Sequence, residues 1–154
     1  MKKNIIYGLS FVALSFLFNS CDAYDDDNQK AYAASNFAMF ADNQATLSVS
    51  EDGGSLVIPV SISKPSSTDV TVNLRFTNGT AQSGVHFNAP TSVVIPAGQI
   101  STNLTIAIVD DTNLNATRSF NLDIASVSDT TYGVGISDEG SYSKTISIIN
   151  NDCP

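Results

Sequence analysis

The chain is 154 residues long and carries a formal charge of −8, from 7 Lys plus Arg against 15 Asp plus Glu. This length suits an export segment plus one ordinary domain, and the Val, Ile, Leu and Phe content suffices for a single core. A carboxylate excess without any basic stripe repels phosphate backbones, which argues against nucleic acid as a partner.

Met1-Lys2-Lys3-Asn4 is a short cationic start, followed by the apolar run Ile5 to Phe18. At roughly 1.5 Å per residue this run falls short of the roughly 30 Å hydrocarbon core, so it reads as a signal segment over residues 1–20 and not as a spanning anchor. The alternative, a buried amphipathic helix, fits poorly with a run that is apolar on every side. Phe18-Asn19-Ser20-Cys21 then resembles a lipobox, in which a small residue precedes a Cys that is acylated and becomes the mature N-terminus. Several acyl chains, at about 0.8 kcal/mol per buried methylene, anchor a protein durably. Lipidation of Cys21 competes with a disulfide to Cys153, the other cysteine, since both lie in an oxidising compartment. The acylation signature favours the anchor. The expected address is the outer membrane, with the protein exposed at the cell surface.

Residues 21–35 form an acidic tether containing Asp22, Asp25, Asp26 and Asp27. Clustered like charge resists packing, so the segment is solvated; it also resembles the acidic signal that sends some lipoproteins to the outer face.

Residues 36–154 make the domain. Asn36 to Phe40 is a candidate edge strand, with Phe37, Met39 and Phe40 read as core. Ala45, Leu47 and Val49 alternate with polar residues, as a half-buried strand requires. Glu51-Asp52-Gly53-Gly54 turns the chain into Leu56, Ile58, Val60 and Ile62, where Pro59 implies an edge or a bulge. Lys64-Pro65-Ser66-Ser67 leads into Val70, Val72, Leu74 and Phe76. A loop containing Asn78-Gly79, Gly84 and Pro90 precedes Val93 to Ile95. Leu104 to Ile108, Phe120 to Ile124 and Ile146 to Ile148 complete the pattern. Short strands between turn signals, with no helical period, predict an all-β, seven-stranded antiparallel sandwich of immunoglobulin-like type. If strands run alternately up and down, Glu51, Asp52, Asn78, Asp110, Asp111 and Asp152 gather at one pole, where the acidic side chains of the domain concentrate.

Catalysis is not expected. His86 is the single histidine, read as a solvated loop residue, and no nucleophile–base couple, zinc set or phosphate loop accompanies it. Asp110 and Asp111 are adjacent and cannot flank a sugar from opposite sides. Glycan binding is an alternative, but the chain has no Trp. Of its tyrosines, Tyr132 is the plausible contact, or else lies across the core edge.

The blocks Val49-Ser50-Glu51, Asn78-Gly79-Thr80-Ala81, Gly84-Val85-His86-Phe87, Ile95-Pro96-Ala97-Gly98, Ile108-Val109-Asp110-Asp111, Phe120-Asn121-Leu122 and Ile148-Ile149-Asn150-Asn151-Asp152 together resemble a Calx-beta domain. The resemblance covers Ala45 to Asp152. It implies a seven-stranded sandwich of the kind found in exchangers, integrins and bacterial surface proteins. It also implies calcium as a candidate ligand, with Glu51, Asp110, Asp111 and Asp152 as retained metal residues. Asn78, His86, Asn115, Arg118, Asn150 and Asn151 stand where the family carries acidic or other residues, which lowers ligand charge. Repulsion between Asp110 and Asp111 still favours weak cation capture, whereas acidic loop ends are commonly just solvated. Asn78, Asn115 and Tyr132 are the remaining candidate ligand contacts. The expected function is an adhesion or protein-interaction module, with a glycan or calcium as the alternative ligand and no certain cofactor.

Overall fold

The computed structural model describes residues 36–42, 44–136 and 139–152, with the side chains of Asn78 and Glu139 outside that description. The signal segment, the tether, Cys21 and Cys153 fall outside the described residues. Two five-stranded sheets face each other. In one, Asn36–Phe40 (β1), Ser55–Ile62 (β3), Phe87–Asn88 (β5), Ser101–Ile108 (β7) and Tyr132–Val134 (β9) lie in the order β5-β7-β3-β1-β9. In the other, Thr46–Ser50 (β2), Val70–Asn78 (β4), Ser92–Ile95 (β6), Arg118–Val127 (β8) and Ser143–Ile149 (β10) lie in the order β2-β10-β8-β4-β6.

Alternation builds the core. Ile58, Val60 and Ile62 from β3 and Leu104, Ile106 and Ile108 from β7 turn inward against Leu122, Ile124, Ile146 and Ile148. Burying each such side chain contributes about 1.5–3 kcal/mol. Just beneath one pole, the rings of Phe87 and Phe120 stack at 3.8 Å between centroids, with Phe76 tilted against both. That aromatic floor fixes the strand ends from which the polar loops emerge.

The described strands number ten, and the pairing is not purely antiparallel: β1 runs parallel to β9, and β2 runs parallel to β10. The reason is a sheet change. The first extended stretch pairs with β3 as far as Phe40 and continues from Thr46 as β2 beside the last strand, which runs the same way. Beyond the expected seven are the short β5 and β9 and the candidate edge strand β1, which lies between β3 and β9 and buries Ala38 and Phe40 fully but Phe37 and Met39 only in part. Pro59 also differs from expectation, since β3 is central in its sheet. Its carbonyl accepts Ala41 N–H at 2.9 Å, on the β1 side, and the β1 ladder stops at the Phe40–Val60 pair. The missing N–H therefore faces a position where no ladder bond is required. At the other sheet, a bulge between Asn73 and Leu74 shifts the register of β4 against β8.

Candidate functional site at the acidic pole

The loops after β2, β4, β7 and β10 converge on one pole, and each is shaped by local chemistry. After β2 the chain makes a 3₁₀ turn over Glu51–Gly53, and Gly54 reverses it at φ +69°, a left-handed conformation that glycine adopts without strain. The Ser50 hydroxyl donates to Asp52, holding that carboxylate outside the turn. Glu51 instead points inward and is only 3% exposed.

After β4, Gly79-Thr80-Ala81 docks on the start of β8. Ala81 N–H donates to Ser119 O at 2.8 Å, and Ser119 N–H donates to Thr80 Oγ1 at 2.8 Å. A Cβ on Gly79 would meet Ser119 O at 2.5 Å, so the close approach requires glycine here. Further along, His86 Nδ1 accepts Gln82 N–H at 2.9 Å, and its own carbonyl accepts Val109 N–H at 3.0 Å. His86 is thus a half-buried brace between two loops, not a solvated side chain.

After β7, Asp111 folds its own loop by accepting Asn113 N–H at 2.7 Å. Both of its carboxylate oxygens also accept Asn115 Nδ2 at 3.2 Å, and Asn115 Oδ1 accepts Arg118 Nη2 at 2.9 Å. Arg118 Nε is buried without a hydrogen-bond acceptor among the described residues.

The centre of the pole is Asn150. Its Nδ2 donates to Asn113 O at 2.9 Å and lies 3.3 Å from both Glu51 Oε2 and Asp152 Oδ2. Its Oδ1 accepts Asp152 N–H at 3.0 Å. One side chain therefore ties the loops after β2, β7 and β10. Burial raises the Glu51 pKa above its ordinary value; the charges of Asp111, Asp152 and Asp110 add to the rise, and the Asn150 hydrogen bond opposes it.

The expected metal residues Glu51, Asp110, Asp111 and Asp152 are thus brought to one electrostatic neighbourhood. Among the described residues, however, no group of three or more His, Cys, Asp or Glu is placed to hold a metal ion. Asn115 belongs to the pole, whereas the Asn78 side chain lies outside the described residues. Tyr132 does not belong to it. This residue lies in β9, is 8% exposed, and donates its hydroxyl to Lys64 O at 2.9 Å, so it packs at the core edge and offers no ligand surface.

The concentration of acidic residues is also partial. Asp69 caps Ala97 N–H, Asp123 pairs with Arg75, Asp129 closes a turn with Thr131, and Asp42 binds Lys144, all away from this pole. That last pair went unforeseen. The Lys144 side chain is fully buried, with Nζ donating to Asp42 Oδ1 and Gln44 O and lying 5.2 Å from the Phe40 ring centre. Its signal was the parity of Lys144 with Ile146 and Ile148, which places it on the inward face of β10.

The Calx-beta domain family model matches residues 37–152, nearly all of the described sandwich. The chain belongs to the Calx-beta family. Among solved structures, this Calx-beta domain resembles the apo-form Calx CBD1 domain with a TM-score of 0.62 and 19% identity, over 76% of this chain and 98% of that one. It also resembles the calcium binding domain CBD12 of CALX1.1, with a TM-score of 0.61 and 20% identity over 75% of this chain and 46% of that one. A two-domain protein of unknown function from Bacteroides fragilis matches with a TM-score of 0.56 and 12% identity, over 77% and 46% of the two chains. At these identities the likeness shows the fold. No curated protein matches the chain.

Proposed function

We propose that the chain is an exported lipoprotein, anchored in the outer membrane through Cys21 and exposed at the cell surface. Its Calx-beta sandwich is a non-catalytic module for adhesion or protein interaction. The observation that carries this reading is the direction in which the chain enters the sandwich. β1 begins beside the far end of β3: Ala38 pairs with Ile62, and Phe37 N–H donates to Ser63 Oγ. The turn at Glu51–Gly53 lies at the opposite end of β3, so Asn36 and the acidic pole sit at opposite ends of the sandwich.

The acidic pole has the character of a contact surface. Loops from both sheets are braced by Asn150 and by the phenylalanine floor, and they present exposed Asp52 and Asp110 beside Leu114 and Val85. Binding residues are disproportionately found on loops held by a rigid scaffold in this way. The glycan alternative draws no support from the aromatic side chains. Sugar platforms need open ring faces, and Tyr142 is the one exposed aromatic among the described residues, outside this pole.

The test places a photo-reactive residue at Leu114, or at Ile100 on the opposite pole, in the full chain on intact cells. Leu114 should capture a discrete partner protein and Ile100 should not, and Cys21→Ala should release the chain from the envelope. Capture from Ile100 alone, or none from Leu114, rules the reading out.

A further inference from the structure

The Calx-beta fold implies calcium at this pole, and the chemistry of the donors present tests that implication. Calcium takes six to eight oxygens at about 2.3–2.6 Å, with carboxylates supplying most of the charge. Here the facing oxygens of Glu51 and Asp152 look onto an NH₂ group, since Asn150 Nδ2 lies 3.3 Å from each. The orientation of that amide is fixed from both sides. Asn150 Oδ1 accepts Asp152 N–H, while Nδ2 donates to Asn113 O. Turned about, the amide would set its oxygen against two carboxylates and a carbonyl, and its NH₂ against an N–H.

The second half of the pole is arranged the same way. Both Asp111 oxygens accept Asn115 Nδ2, and the Arg118 guanidinium backs Asn115 from behind at 2.9 Å. N–H donors thus face the carboxylate oxygens that an ion would need, and the Arg118 guanidinium takes up the Asn115 amide oxygen. The residues present do not fit calcium.

We propose that Asn150, Asn115 and Arg118 do in this chain the structural work of a divalent ion: they tie the pole loops together and partly offset the carboxylates, so the pole keeps its form in calcium-free medium. The proposal concerns the shape of the pole and stands apart from the identity of any partner. Thermal unfolding needs no partner, so failure of the cross-linking experiment would leave it untouched.

The test is the melting temperature of the full chain in detergent, with 5 mM EDTA or with 10 mM calcium chloride. The expected difference is below about 1 °C, whereas a site of the extracellular class, with affinity near 0.1–1 mM, would raise the midpoint by roughly 2 °C or more. Such a rise in the wild type overturns the proposal. The double variant Arg118→Glu with Asn150→Asp should melt several degrees lower in EDTA and recover when calcium is added. If it folds and ignores calcium, the amides and the guanidinium are not what exclude the ion, and the proposal fails. Should the double variant not fold in either buffer, Asn150→Asp alone, which is nearly isosteric, is read by the same two outcomes.

Discussion

Glu51 shows what one side chain contributes to this pole and what it costs. A carboxyl buried beside three aspartates holds its proton more tightly in the folded chain than in the unfolded one. The folded state binds more protons through this group, so its contribution to stability is greatest at and below the ordinary glutamate range near 4.5 and is lost as pH rises through the raised folded value. Glu51→Gln should therefore unfold at higher denaturant than the wild type at pH 7, by roughly 0.5–1 kcal/mol. The two proteins should converge as pH falls through that range. A variant less stable than wild type at pH 7, with no pH-dependent difference between them, would contradict this account. The residue was legible in the sequence because strand alternation places it at a strand end among other acids. Its inward rotation was not, since that depends on a 3₁₀ turn and on an asparagine about a hundred positions away.

At the scale of elements, the contact between the Gly79–Ala81 segment and β8 ties the loop after β4 to the neighbouring strand of the same sheet, beneath the pole. With Ser119 O at 2.5 Å from where a Cβ would sit, Gly79→Ala must push the loop off β8, breaking the bonds of Ala81 and Thr80 to Ser119. Overpacking of this kind costs about 1–3 kcal/mol, read as a lower denaturant midpoint with unchanged slope. A neutral result would show the loop to be adaptable. Alternation made β2, β3, β4, β6, β7, β8 and β10 legible, because in nearly all of them the inward positions are buried and the outward ones mostly polar. The shorter ones were hidden for a physical reason. β5 and β9 span two and three residues, too few for any period to register, and β9 is held partly by its parallel partner β1. Parallel pairing across the chain leaves no local mark. The crossover between β1 and β2 is likewise specified by long-range contacts, chiefly those of Lys144, and not by turn residues alone.

For the whole molecule, Lys144 closes the structure, joining the first extended stretch to the last strand across 102 positions. The ammonium is fully buried, whereas the Asp42 side chain is 21% exposed. Removing the lysine takes the ammonium donor from both the Asp42 carboxylate and the Gln44 carbonyl. Lys144→Ala should cost about 3–5 kcal/mol, the range for breaking a buried pair from one side. Lys144→Met keeps the stem beside Phe40 while Asp42 recovers water, and should cost less. Chemical denaturation of both variants checks the order; a loss under about 1 kcal/mol for the alanine variant would mean the crossover holds without its clamp.

The parallel alignment of β2 with β10 bears on how the sandwich takes a load. Force applied between Asn36 and Asp152 would slide these two strands lengthwise, so their shared bonds from the Thr46–Thr145 pair to the Ser50–Ile149 pair would resist together. An antiparallel pair pulled from the same ends would open one bond at a time, like a zip. Under such a load the lifetime of the folded domain would be set by the rate at which that whole ladder shears.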